Sequence, residues 1–191
     1  MIVEGLVTTQ NAQQAINVAP MGPIVQGDFE SMILRPFAGS TTFQNLLDQR
    51  QGVFHVVDQV DLIAKAAIGR LIELPPMFSA ETVQGSVLSE CCRWFEFRIT
   101  EVDTSDLRSE MQAEIVHRGE RRPFYGFNRA RHAVIEAAIM ATRIHLLPPD
   151  DIRRQFDWLE SAVHKTGGAT ELASFQHLRE YVETAAAEVA R

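Results

Sequence analysis

Cysteine is scarce in this chain of 191 residues: only Cys91 and Cys92 occur, and they are neighbours. A bridge between adjacent residues is strained, so there is no disulfide framework and both thiols are read as reduced. Two cysteines cannot complete a zinc site of the usual spacing either. Long apolar runs are also missing. None approaches the roughly 20 residues that cross a bilayer, and MIVEGLVTT lacks the basic-then-apolar profile of a leader, so a soluble, cytoplasmic protein without membrane contact is expected. There is no basic surplus: 18 basic against 25 acidic residues leave a net charge of −7, which opposes broad attraction to phosphate backbones and makes nucleic acid an unlikely partner. P-loop, dinucleotide-type glycine and nucleophile-elbow motifs do not occur. What is present, 46% hydrophobic and 23% charged residues, suits a globular protein of one large or two small domains.

The first half alternates β-rich runs with turn signals. Val3–Thr9 and Ile16–Pro20 read as strands joined by a hairpin, Met32–Phe37 as a third after Gln26-Gly27-Asp28, and Val53–Val57 as a fourth. Between the last two, Ser40–Asp48 reads as a helix opened by hydroxyl residues, with Phe43, Leu46 and Leu47 on its apolar side and Gly52 ending it. Asp61–Gly69 reads as a second short helix, and residues 70–90 give no clear assignment. Arg93–Val102 and Met111–Arg118 complete six strands, with Trp94, Glu96 and Arg98 opposite Phe95, Phe97 and Ile99. Six strands with short helices between them suit a small barrel.

The remainder is helical. Asn128–Leu147 is alanine-rich. After Pro148-Pro149-Asp150 a second helix places Ile152, Phe156, Leu159 and Val163 on one face, and Gly167-Gly168 ends it. A last helix aligns Leu172, Phe175, Leu178, Val182, Ala185 and Val189. The expected division is a barrel domain over 1–147 and a helical hairpin over 148–191.

Two stretches carry candidate chemistry. In Arg35-Pro36-Phe37-Ala38-Gly39-Ser40-Thr41-Thr42-Phe43-Gln44-Asn45, an arginine at a strand end, a glycine and three hydroxyls lead into a helix. Free N–H groups, the helix dipole and a guanidinium together can hold a phosphate, although an ordinary N-capped surface helix has the same appearance. The second stretch, His117–His132, holds five arginines against one acid, interleaved with Phe124, Tyr125 and Phe127. Guanidinium forks and rings suit a planar phosphorylated ligand, with Asn128 and Arg129 best placed where loop becomes helix. Single-stranded nucleic acid or a solvated strand end are the competing readings. His132 and Glu136 share an i, i+4 relation read as a surface pair, so no metal site is expected, and His55 within an apolar strand reads as a satisfied core histidine.

The order Asn17-x-Ala19-Pro20-Met21-Gly22-Pro23, then Ser40-Thr41-Thr42-x-x-Asn45-Leu46, then Gly52-x-Phe54-x-Val56 resembles the FMN-binding split-barrel, or flavin reductase-like, family. Phe124-Tyr125-Gly126-Phe127-Asn128-Arg129-Ala130 resembles a segment of its functionally uncharacterised branch. The resemblance implies a mainly β fold with α, a six-stranded Greek-key split barrel plus C-terminal helices, forming a homodimer with FMN in clefts at the interface. It assigns Ser40, Thr41, Thr42, Asn45 and Arg35 to the FMN phosphate, the backbone of Pro20, Met21 and Gly22 to the flavin ring, and Phe54 and His55 to a strand passing near it. The implied activity is an NADH- or NADPH-dependent oxidoreductase with an unidentified acceptor. No side chain is nominated as acid or base, because hydride transfer to flavin needs none. A non-catalytic FMN-binding or interaction module, and a pterin reductase of one-carbon metabolism, are the alternatives.

Overall fold

The computed structural model describes residues 1–105 and 109–189. Its strands and helices run β1 (Gly5–Gln10), β2 (Ile16–Met21), β3 (Ile24–Gln26), β4 (Ser31–Leu34), α1 (Thr41–Gln49), β5 (Gln51–Val56), α2 (Val60–Ala67), β6 (Met77–Ser79), β7 (Ser86–Leu88), β8 (Arg93–Asp103), β9 (Glu110–Glu120), α3 (Arg129–Ala141), α4 (Pro149–Thr166) and α5 (Ala169–Val189). Contacts divide the chain into two compact units, Met1–Val57 with Glu73–Phe124, and Asp58–Ile72 with Tyr125–Arg191.

The first unit is built on an antiparallel sheet of order β2-β1-β5-β8-β9-β4-β3. The sheet curls until the start of the chain bridges β3 through Ile2 and Ile24, which brings its two ends together as a half-barrel. The main sheet therefore has seven strands, where six were expected. The additional one, β3, is a three-residue strand between Pro23 and the Gly27 turn, too short to show an alternating pattern. The expected third strand stops at Leu34, because Pro36 cannot donate to a ladder and its carbonyl accepts from the Ser109 hydroxyl at 3.0 Å. Met32, Leu34, Phe54, Phe97 and Met111 are fully buried in the core, and α1 adds Leu46. Phe29 and Phe95 stack at 3.9 Å within it. α1 ends at Arg50 in the left-handed region (φ 57°), two residues before Gly52, which instead lies in β5 with Phe97 too close for a side chain.

The unassigned 70–90 stretch forms the β6-β7 hairpin. It makes the second face of β8 a buried one: Trp94 packs edge-on against Phe78, and Glu96, expected on a polar face, is fully enclosed. Among the described residues no helix is long and apolar enough to cross a membrane.

The second unit is a helical bundle. α3, grouped with the barrel in the sequence reading, shares its core with α2, α4 and α5. Ala133, Ala137, Ala138 and Ala141 keep one side of α3 narrow enough for neighbouring helices to approach, while Ile152, Phe156, Phe175 and Leu178 fill the centre. α3 ends at Ala141, short of the expected Leu147, and a run of turns leads to Pro148. Gly167 caps α4 as expected. Leu172, expected on the apolar face of α5, is 37% exposed, and the Val189 side chain lies outside the described residues.

Gly119 faces Trp94 across the β8-β9 ladder, and a Cβ added there would sit 2.0 Å from the indole Cζ2. Gly119→Ala is expected to displace the ring and to lower stability by about 1–3 kcal/mol, the usual scale of overpacking. Urea denaturation followed by tryptophan fluorescence checks this, and an unchanged midpoint would contradict it.

Candidate functional site

Ser40 is the N-cap of α1. Its backbone is extended and its hydroxyl accepts the Phe43 N–H at 3.1 Å, while its carbonyl accepts from Gln44. The N–H groups of Thr41 and Thr42 have no partner among the described residues, so two of the four donors orphaned at a helix start remain available. Gly39 (φ 83°) precedes the cap, and nothing stands within 4 Å of where its Cβ would be. Thr41 is exposed. Arg35, half-buried just past the end of β4, has no ion pair among the described residues. Open space and free N–H donors at a helix start are what an oxyanion needs, and a guanidinium can add a charge-assisted bond.

Thr42 and Asn45 are committed elsewhere. Both are buried, and they turn inward to a polar cluster in which Asn17 donates to Thr42 Oγ1 at 2.9 Å and Asn45 donates to Thr9 Oγ1 at 3.0 Å. Their side chains fasten the helix to β1 and β2.

β2 is an edge strand, so one side of its backbone is unpaired and can meet a flat heterocycle. Pro20, opposite Leu6, tolerates this position because the edge needs no donor from it. Met21 points into the core, and the flank of Gly22 is closed by Glu4 and Ile2 at 2.9 Å from a built Cβ. Any contact from these residues to a ligand would come through backbone.

Phe54 and His55 belong to the interior. Phe54 sits fully buried beside Phe29 and Phe95. His55 Nδ1 lies 3.2 Å from the Leu6 carbonyl and Nε2 accepts the Leu88 N–H at 3.2 Å, so the ring is neutral with its proton on Nδ1. It is the satisfied core histidine, with neither nitrogen left for a cofactor. Burial pushes its pKa down from 6.5 to about 3, against the smaller opposing effect of the Leu6 carbonyl.

Asn128 and Arg129 lie in the second compact unit. Asn128 caps α3 by accepting from the Arg131 N–H at 3.1 Å and clamps α4 by donating to the Thr166 carbonyl at 2.9 Å. Arg129 is exposed in the first turn. The neighbouring Arg131 pairs with Glu171 at 3.1 Å and covers the Tyr125 ring, so the arginines of this stretch are not equivalent.

Glu96 was not anticipated as special. Its carboxylate accepts the backbone N–H groups of Glu81, Thr82 and Val83 at 2.6–3.1 Å, and Trp94 Nε1 at 3.3 Å. Burial opposes its charge, but these four donors outweigh burial and hold its pKa below the ordinary value. The only sequence signal was its place between two aromatic residues. Cys91 and Cys92 are both buried, and burial together with the neighbouring Cys92 pushes the Cys91 thiol up to about 11, which keeps it protonated. Among the described residues no three His, Cys, Asp or Glu side chains converge as a metal site.

Family models described as "Protein of unknown function (DUF447) N-terminal domain" and "Protein of unknown function (DUF447)" match residues 3–122 and 128–180. Among solved structures, an FMN-bound protein of Methanosarcina mazei with the same family model is 24% identical, with 94% of each chain covered and a TM-score of 0.81. An FMN-binding protein of Thermus thermophilus is 18% identical over 65% of this chain and 75% of its own, with a TM-score of 0.55. Flavoredoxin of Methanosarcina acetivorans is 13% identical over 63% and 69%, with a TM-score of 0.53. These likenesses establish the split-barrel fold. No curated protein sequence matches the chain.

Two outcomes follow from the geometry. Because His55 is neutral when folded and ordinary when unfolded, stability is full above pH 6.5 and falls as pH drops toward 3, by up to about 1.4 kcal/mol per pH unit. NMR titration is expected to show the His55 ring still neutral at pH 5, and an ordinary midpoint there would contradict its placement. Asn128→Ala is expected to cost about 1–2 kcal/mol through loss of the cap, checked by thermal or urea denaturation; an unchanged midpoint would mean that the cap carries no stability.

Proposed function

The chain belongs to the DUF447 family, and on that footing we propose that it is a soluble, cytoplasmic FMN-binding flavoprotein that works as an NADH- or NADPH-dependent oxidoreductase. The observation that carries this reading is the start of α1, where the Thr41 and Thr42 N–H groups have no partner among the described residues, Thr41 is exposed and open space flanks Gly39. Those groups fit a phosphate monoester. The overall likeness to a protein crystallised with FMN supports the same choice of ligand.

In this reading the backbone at Thr41 and Thr42 holds the phosphate, Arg35 neutralises its charge, and the edge of β2 from Pro20 to Gly22 lies along the flavin. Thr42, Asn45, Thr9 and Asn17 act by positioning the helix start. When bound, FMN would supply the redox chemistry, accepting hydride from a reduced nicotinamide and passing electrons to a separate acceptor. The protein's own part is to orient and to exclude water. A homodimer is proposed as the working form.

Arg35→Ala is expected to weaken FMN binding by about 1.5–3 kcal/mol, the scale of a hydrogen bond to a charged group, without changing the fold. Flavin-fluorescence titration measures this, and unchanged affinity would remove Arg35 from the site. Turnover of NADH or NADPH by the FMN-loaded protein separates an enzyme from a protein that only binds flavin, for which no donor would be oxidised.

A further inference from the structure

The second compact unit contains a cavity of about 480 Å³ between α2 and the first half of α5. α2 lines it with Asp61, Ala64 and Lys65, and α5 with the stripe Thr170, Ser174 and His177, spaced as neighbours on one helical face. The volume falls in the range of small-molecule sites.

Two polar groups of this lining have no hydrogen-bond partner among the described residues, and one of them, His177 Nε2, is a buried atom of the kind that ordinarily has one. Ser174 is only 7% exposed, yet its hydroxyl bonds to nothing among the described residues. Buried helical hydroxyls usually bond back to the carbonyl one turn earlier, and in the same unit Thr166 does so with Ala162 and Thr184 with Glu180, each at 2.8 Å. Ser174 does not. His177 Nε2 is enclosed and also without a partner.

The backbone at the start of α5 favours an oxyanion. The N–H groups of Ala169 and Thr170 in the first turn of α5 have no partner among the described residues, and the positive end of the α5 dipole lies there. Lys65 is paired with Asp61 at 3.4 Å, and Glu171, which also accepts the Gly168 N–H at 2.9 Å, is paired with Arg131 at 3.1 Å, so these side-chain charges balance. Ala64 and Ala173 leave apolar wall between the donors.

We propose that this cavity binds a small organic oxyanion, a carboxylate or phosphate monoester on a compact apolar body, held by Ser174, His177 and the α5 N-terminus. The site lies within the helical unit alone and stands whether or not FMN binds at α1.

The test is an NMR titration of the full chain with benzoate and, separately, phenyl phosphate, which distinguishes the two sources of the oxyanion. Saturable shifts are expected at the Ala169, Thr170 and Ser174 amides and the His177 ring for at least one probe. Ser174→Ala removes a hydroxyl that bonds to nothing, so it is expected to leave the thermal midpoint unchanged while weakening the probe about tenfold, and His177→Ala is expected to weaken it similarly. Absence of saturable shifts with both probes, or affinity unchanged in both variants, would overturn the proposal. A lowered midpoint in Ser174→Ala would overturn it too, by showing that the hydroxyl serves the fold.

Discussion

The candidate site depends on a small buried hydrogen-bond cluster. Thr9 on β1, Asn17 on β2, and Thr42 and Asn45 on α1 bond to one another at 2.9–3.5 Å, with Thr9, Thr42 and Asn45 buried and Asn17 half-buried. Buried side-chain amides and hydroxyls cost free energy unless satisfied, so this set tolerates few alternative arrangements of helix against sheet. The apolar contact of Leu46 supplies driving force without direction, while the polar cluster fixes the azimuth of α1. With α1 so held, Ser40 caps inward, and the Thr41 and Thr42 amides are left over beside Gly39. Availability of those two donors is therefore a consequence of how the helix is fastened.

The same logic separates structural polar groups from those free to meet a ligand. His55 joins three strands, with β1 on one nitrogen and β7 on the other, and Glu96 gathers three successive amides from the loop between β6 and β7. Both attach the 75–89 stretch to the sheet, and both have spent their hydrogen-bonding capacity. A buried carboxylate and a buried imidazole look at first like catalytic groups, since perturbed titration often marks functional sites. Here each shift has a complete structural cause, and both side chains are fully buried.

Local pattern made six of the strands and all the helices legible in the sequence, because each has apolar residues at the period of its own element. The resemblance extended this to the barrel. Three short strands escaped because three residues cannot display a period, and the polar reading of Glu96 failed because alternation assumes that one face of a sheet meets water. That assumption broke where the unassigned hairpin covers β8. The phosphate-like stretch was legible as a set, but its members divide: Arg35, Thr41 and the amide groups remain available, whereas Thr42 and Asn45 face inward. No spacing rule distinguishes the two groups, since the partners that claim Thr42 and Asn45 lie more than twenty residues away in the sequence.

Asn128 shows the same limit from the opposite direction. At the junction of an arginine-rich loop and a helix it has the look of a ligand contact, and a cap residue always does, because capping and anion binding use the same orphan donors. What decides between them is whether those donors are already taken. At α3 the Asn128 side chain takes the Arg131 amide, Thr166 Oγ1 takes that of Ala130, and the asparagine amide is used on α4. At α1 the cap satisfies Phe43 and leaves Thr41 and Thr42 open. Two helix starts with similar sequence signatures thus differ in which donors they leave: among the described residues α1 keeps the consecutive Thr41 and Thr42 amides, whereas at α3 the Ala130 and Arg131 amides are already spent on Thr166 and Asn128.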